Sequence, residues 1–374
     1  MKSGNYVIGL DPLRFFAAFA VLCFHLVYTI GLPGSDAYQI SQVAVSFNDI
    51  SAISAYGWIG VQIFFMISGF VIAISAENST AKRFLAHRFL RLAPTAWICA
   101  TITLIVLLLM GFGETDSNIQ KWLKSILFSP VGEYIDHAYW TLGVEVAFYA
   151  IVFAFVAADK WKVFPIFMIA VAAASAIFNI MSLMIGIFPS PDRFSELSML
   201  RFGVFFAMGV GIYRYKQFGS DVVSFSLILI GFMGSLAQIA WNMRYYDGEI
   251  DAGKLSILLI FWAVTVLYVV FSAVANESII NIFSAYRGKA RILGAFTYPL
   301  YLLHQIVGAV LIVRFIELGL GKYTALVLAI VCVSGVTWAV VEIEAKVRVI
   351  IEPLVMKAVN KIPLFGAGRR EGSA

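Results

Sequence analysis

Long apolar runs alternate with short polar breaks along the whole chain. Stretches close to the roughly 20 residues that cross a bilayer as a helix recur at 11–30, 57–76, 95–113, 139–158 and 164–188. Five more follow at 198–215, 222–241, 256–275, 291–313 and 323–342, the last running on towards Val349. None shows the alternation of about ten residues that marks a strand of a membrane barrel. Helices are the other way to satisfy every backbone group within lipid. The pattern therefore predicts an all-α fold, a polytopic membrane helical bundle of about ten transmembrane helices. It predicts one transmembrane domain over residues 1–350 and a short basic tail over 351–374 that lies on the membrane surface. Between 120 and 130, the apolar residues Trp122, Leu123, Ile126, Leu127 and Phe128 suggest a helix lying in the interface.

Composition sharpens this picture. Hydrophobic residues make up 61% of the 374 and charged residues 13%. Soluble domains carry roughly a quarter charged residues. The net charge of +5 does not point to nucleic acid, because the basic residues sit in short breaks between apolar runs. With the N-terminus cytoplasmic, one side receives Lys2, Lys82, Arg83, Arg88 and Arg91, the pairs Lys160/Lys162 and Arg214/Lys216, Arg287, Lys289 and Arg291, and the basic tail. The other side is richer in Asp and Glu. That asymmetry predicts both termini on the cytoplasmic side. The first run ends in no small-residue cleavage motif, so it is expected to stay as a helix. Cys23, Cys99 and Cys332 all fall in apolar runs and are expected to act as small hydrophobes without a disulfide. No internal repeat of the kind common in transporters is evident.

Ionisable residues inside a span are costly, so each poses a functional question. Arg14 and His25 are eleven residues apart, about three helical turns, and share one face of the first helix some 16 Å from end to end. Asp11 lies one turn before Arg14 and can pair with it. Either this stripe anchors and packs the helix, or His25 is a general base deep in the bundle. In the fourth run Glu145 shares a face with Thr141 and Tyr149, close to Trp140. That face either holds helices together or serves a site. Tyr298, Tyr301 and His304 succeed one another at single-turn spacing beside Pro299. Ser68-Gly69 follows Phe64-Phe65 and admits both close packing and a place in a cavity. Arg88 and Arg91, one turn apart before Pro94 and preceded by Arg83, suit phosphate oxygens; ordinary positive-inside charge is the alternative.

In their order these stretches resemble the acyltransferase family 3 membrane proteins, bacterial O-acetyltransferases of polysaccharides and O-antigens. The resemblance rests on Leu10-Asp11-Pro12-Leu13-Arg14 with His25, on Gly60 to Phe65 leading to Ser68-Gly69-Phe70, and on Arg88-Phe89-Leu90-Arg91 before Pro94. Tyr139-Trp140-Thr141-Leu142 with Glu145 and Phe148-Tyr149, and Thr297-Tyr298 with Tyr301-Leu302 and His304, complete it. It is closest to the stand-alone type, which lacks an esterase-like domain. It implies an acyl-CoA donor (usually acetyl-CoA) and a carbohydrate or lipid-linked glycan acceptor, in the bacterial inner membrane and in contact with its lipids. It implies essential roles for Arg14 and His25, and donor handling by Arg88 and Arg91.

The expected mechanism has donor phosphates at Arg83, Arg88 and Arg91. His25 acts as base, or as carrier of the acyl group; Glu145 orients or balances it; Arg14, with Asp11 beside it, or the Tyr298/Tyr301/His304 face meets the oxyanion. Ser68, Trp140 and Tyr149 would line the cavity. Thioester chemistry needs no metal, and His25, His87, His137 and His304 have no ligand spacing. The rival reading is a proton-coupled transporter built on the same Asp/Arg/His/Glu set. The topology is directly testable. A fluorescent reporter inserted after Lys162 is expected to face the cytoplasm and one inserted after Gly319 the opposite side; the reverse pattern would overturn the orientation.

Overall fold

A computed structural model describes residues 6–35, 38, 45–77, 79–186, 190–282 and 284–362. Among them every regular element is helical. The principal helices are α1 (Leu10–Cys23), α2 (Ile59–Glu77), α3 (Ala81–Met110), α4 (Trp140–Ala157) and α5 (Phe164–Ile185). They continue as α6 (Gly203–Phe218), α7 (Val222–Asp247), α8 (Ala252–Val274), α9 (Arg287–Glu317) and α10 (Lys322–Asn360). Nine of the corresponding segments are long and apolar enough to cross a membrane. The tenth, α6, has 16 residues and is buried from Gly203 to Tyr213. The expected run at 198–215 begins instead in a turn over 198–202. The interfacial helix runs Thr115–Ile126, starting earlier than expected, with the Trp122 indole donating to Thr101 Oγ1 at 3.2 Å. All three cysteines are free thiols.

Side-chain bridges fix which connections share an end of the bundle. At one end Asn276 bonds the Ile8 amide and the Tyr6 carbonyl, Lys82 donates to the Asn360 carbonyl at 2.8 Å, and Arg214 pairs with Asp221 at 2.9 Å. At the other, Tyr56 donates to Asp247, Arg193 to the Trp140 carbonyl, Arg244 to the Leu183 carbonyl and Lys322 to the Ser46 carbonyl. The breaks rich in Lys and Arg all lie at the first end, here the basic end. The helix α10 has 39 residues, about 58 Å, nearly twice a hydrocarbon core of about 30 Å. It continues through Pro353 and meets Lys82 at its C-terminus. The boundary expected at residue 350 thus falls inside a helix; residues 363–374 of the expected tail lie outside the described residues.

Helices approach closely where glycines remove the Cβ. A Cβ on Gly69 would run into the Phe206 carbonyl, and one on Gly209 into the Met66 carbonyl, so α2 and α6 touch backbone to backbone. The stack beside this contact joins Phe65 to Phe206 at 5.0 Å and Phe148 to Phe206 at 4.4 Å between ring centroids. Dispersion across such contacts replaces the hydrophobic effect as the force between helices in lipid. By contrast a Cβ on Gly335 meets nothing within 4 Å. Gly69→Val is therefore expected to destabilise the detergent-solubilised protein by about 1–3 kcal/mol, read as a lower melting midpoint, whereas Gly335→Val should leave the midpoint unmoved.

Candidate active site

The face of α1 that carries Arg14 meets α9 through another bare glycine. The Asp11 carboxylate occupies the space that a Cβ on Gly294 would need. Asp11, buried, accepts from Tyr6 at 2.5 Å and from Arg14 Nη1 at 3.1 Å. It holds one side of the guanidinium and leaves the rest aimed into the bundle. There Arg14 feels the charges of Arg91 and Glu145.

A cavity of about 100 Å³ opens at this point. Its wall includes Arg14 from α1, Ser68 from α2, Arg88 and Arg91 from α3, Glu145 and Tyr149 from α4, and Tyr298 and Tyr301 from α9. Residues from five helices, separated by up to 287 positions, converge here. Glu145 accepts from Tyr149 at 2.5 Å and from Ser68 at 3.4 Å. Thr141, Glu145 and Tyr149 all face the cavity, as the i, i+4, i+8 spacing requires. Ser68 and Gly69 divide their tasks between two faces of α2, the serine on the cavity and the glycine against α6. Arg88 donates to Ser75 at 3.1 Å and its guanidinium carbon stands 5.6 Å from the Tyr149 ring centre. Arg91 stands 5.2 Å over the Tyr298 ring. Planar guanidinium groups resting on aromatic faces are restrained while their donors stay free for an oxyanion.

Towards the far end the cavity gives way to a run of rings. Tyr301, in its wall, lies 5.8 Å from His304, and His304 lies 5.2 Å from His25, centroid to centroid. The two histidines, 279 positions apart, thus form one pair. His25 sits in a π-helical turn, Phe24–Tyr28, that widens α1 at its far end; such turns gather at functional positions. The Thr29 hydroxyl donates to the His25 carbonyl at 3.1 Å and lies 3.4 Å from His25 Nδ1. With its own proton so engaged, the hydroxyl oxygen is placed to accept a hydrogen bond from Nδ1–H. His304 Nδ1 likewise donates to the Tyr301 carbonyl at 2.8 Å. Both rings then carry their lone pair on Nε2. His304 is fully buried, and its Nε2 has no hydrogen-bond partner among the described residues. Beyond His25 the rings of Phe24, Tyr246 and Trp58 continue to the far end at 5.2 and 6.1 Å.

The remaining expected residues are placed elsewhere. Trp140 packs between Phe65 and Phe202, behind the cavity wall. Arg83 is exposed at the start of α3, where its amide is capped by Thr80. Glu145 does not bond a histidine; its acceptor oxygen goes to Tyr149 and Ser68.

The carboxylate that supports the histidine segment is Asp136, which no sequence motif marks. It is 1% exposed, accepts from the Ala138 amide at 2.9 Å ahead of α4, and accepts from the Ile306 amide at 3.0 Å. Ile306 lies two residues after His304, in the same helix α9. An aspartate just before a helix reads as a cap; nothing local announces its second partner. Outside the spans, Lys121 donates to Glu133 at 2.8 Å and holds that carboxyl below its ordinary range, bracing the same far-end segment.

Comparison with known proteins adds one finding: residues 7–341 match the profile of a family described as an acyltransferase domain. Neither the curated proteins nor the solved structures contain a match to this chain. Asp136→Ala would leave the Ile306 amide buried without its acceptor and should lower stability by about 1–3 kcal/mol. Asp136→Asn keeps an oxygen for only one of the two amides and should recover only part of that loss, measured as melting midpoints in one detergent.

Proposed function

Because the chain belongs to the acyltransferase 3 family, an integral membrane group, we propose that it moves an acyl group, in the simplest case acetyl, from acyl-CoA to a hydroxyl of an exported or surface glycan. One observation carries this reading: an arginine-lined cavity in the basic half of the bundle leads through Tyr301 to a pair of neighbouring histidines. The cavity suits a donor whose charge is on phosphates and whose reactive end is an uncharged thioester. The rings beyond His25 suit an acceptor arriving from the far end. The basic end is then the cytoplasmic face of the bacterial inner membrane.

Each part has a chemical task. Arg88 and Arg91 hold donor phosphate oxygens with donors that their aromatic and hydroxyl supports leave free. His25 Nε2 takes the proton of the acceptor hydroxyl as its oxygen attacks the thioester carbonyl carbon. The carbonyl oxygen gains negative charge, and the Tyr301 hydroxyl or the Arg14 guanidinium stabilises it. The C–S bond then breaks. The thiolate takes the proton from the imidazolium, so an ester and a free thiol leave and the histidine is neutral again. His304 packs on the His25 ring and fixes its position. Asp11 and Glu145 balance Arg14, so the cavity tolerates its charge in the absence of substrate.

The test uses base-labile acyl esters on surface and secreted glycans. A deletion strain is compared with a wild-type complement and with a His25→Ala complement at matched membrane abundance. Esters should vanish in the deletion and return only with wild type, with residual turnover of the variant lower by about 10²–10⁴-fold. Equal ester content in all three strains would sink the reading. Solute uptake by proteoliposomes without consumption of acyl-CoA would replace it with the transporter.

A further inference from the structure

A second cavity, of about 130 Å³, lies on the other side of Arg91 and Tyr298, between α3, α9 and α10. Those two residues belong to both walls, so the ion–ring pair of Arg91 and Tyr298 is the partition between the cavities. The polar wall of the second one is completed by Thr95, Glu344 and Arg348. The last two lie in the extended part of α10, past residue 341 where the family match ends. No sequence motif marked them.

Charge and geometry decide what this space holds. Arg91 and Arg348 both face it, so it presents two guanidinium groups against one carboxylate. Glu344 and Arg348 form only a loose ion pair: their N···O separation is 3.7 Å, longer than the 2.7–2.9 Å of a charge-assisted hydrogen bond. The Arg348 side chain keeps 42% exposure, so it is reachable from the basic end. An anion entering there would gain Arg348 at the mouth and Arg91 at the partition. A molecule that passes the partition arrives in the cavity that ends at Tyr301 and the histidine pair.

Resting on the acyl-CoA reading above, we infer that the cavity between α3, α9 and α10 is the seat of the donor's nucleotide end, with Arg348 binding its outer phosphate while Arg91, at the partition, shares the inner phosphates with Arg88. The acyl-bearing arm then threads past Arg91 and Tyr298 into the inner cavity. The long α10 acquires a purpose in this arrangement: its extension beyond the membrane core carries Arg348 to the donor and is anchored at its end by Lys82.

The experiment measures transfer by the purified full-length protein in vesicles, with acetyl-CoA and, separately, with acetyl-pantetheine, which has the same reactive arm and no phosphates. Arg348→Ala is expected to raise KM for acetyl-CoA about tenfold, the lower range for loss of a charged hydrogen bond, and to leave KM for acetyl-pantetheine within about twofold. Glu344→Gln, which removes the opposing charge, should lower KM for acetyl-CoA. Arg348→Lys should recover part of the loss. Equal effects on both donors, or none on either, would overturn the assignment while leaving acyl transfer intact. Equal effects that vary with the anionic lipid content of the vesicles would give Arg348 to a lipid headgroup instead. If the wild-type protein transfers from acetyl-pantetheine but gains nothing from the nucleotide of acetyl-CoA, the assignment also fails. If it consumes neither donor, the broader reading fails first.

Discussion

A guanidinium inside an apolar bundle is tolerated only where anions and hydroxyls stand around it, and the site is organised about that requirement at Arg14. Asp11 holds it from one side at 3.1 Å. Glu145 acts from across the cavity, itself held by Tyr149 and Ser68. Removing one partner of such a buried pair costs far more than the pair contributes, because an uncompensated charge remains. The arrangement is therefore coupled across α1, α2 and α4. It draws in α9 as well, since the Asp11 carboxylate fits only because Gly294 has no side chain.

The same economy of small residues sets the depth of the bundle. The helix α6 is too short to span by itself and is entirely enclosed over Gly203–Tyr213. It lies against α2 at a distance that only Gly69 and Gly209 permit. The opposite face of α2 is thereby pressed towards the cavity, and Ser68 arrives at Glu145. A packing residue and a site residue are adjacent in the chain because a helix turns about 100° per residue, so neighbours serve different neighbours.

Departures from regular helix cluster where chemistry is proposed. The π turn at Phe24–Tyr28 carries His25. In α9 Pro299 removes one ladder donor, His304 uses the Tyr301 carbonyl, and Ile306 turns to Asp136. The last two of these give buried donors a partner that lipid cannot supply, while His304 Nε2 stays without one among the described residues. They also fix the tautomer and position of two rings that no local sequence feature would bring within 5.2 Å of each other.

Hydrophobic run length by itself determined the all-helical class and the approximate spans, because a bilayer of fixed thickness imposes a fixed number of residues on each crossing. Helical periodicity alone placed Arg14 with His25, and Thr141 with Glu145 and Tyr149, on common faces. The ordered short motifs were enough to indicate the family. Tertiary structure decided which faces meet. It joined His25 to His304, gave Glu145 to Tyr149 and Ser68 instead of a histidine, and set Trp140 behind the wall. It made Asp136 the support of α9 and brought Arg348 to the partition at Arg91. Each of these is a contact between helices distant in the chain, and a local pattern reports only which face of a helix is polar, never which helix stands opposite.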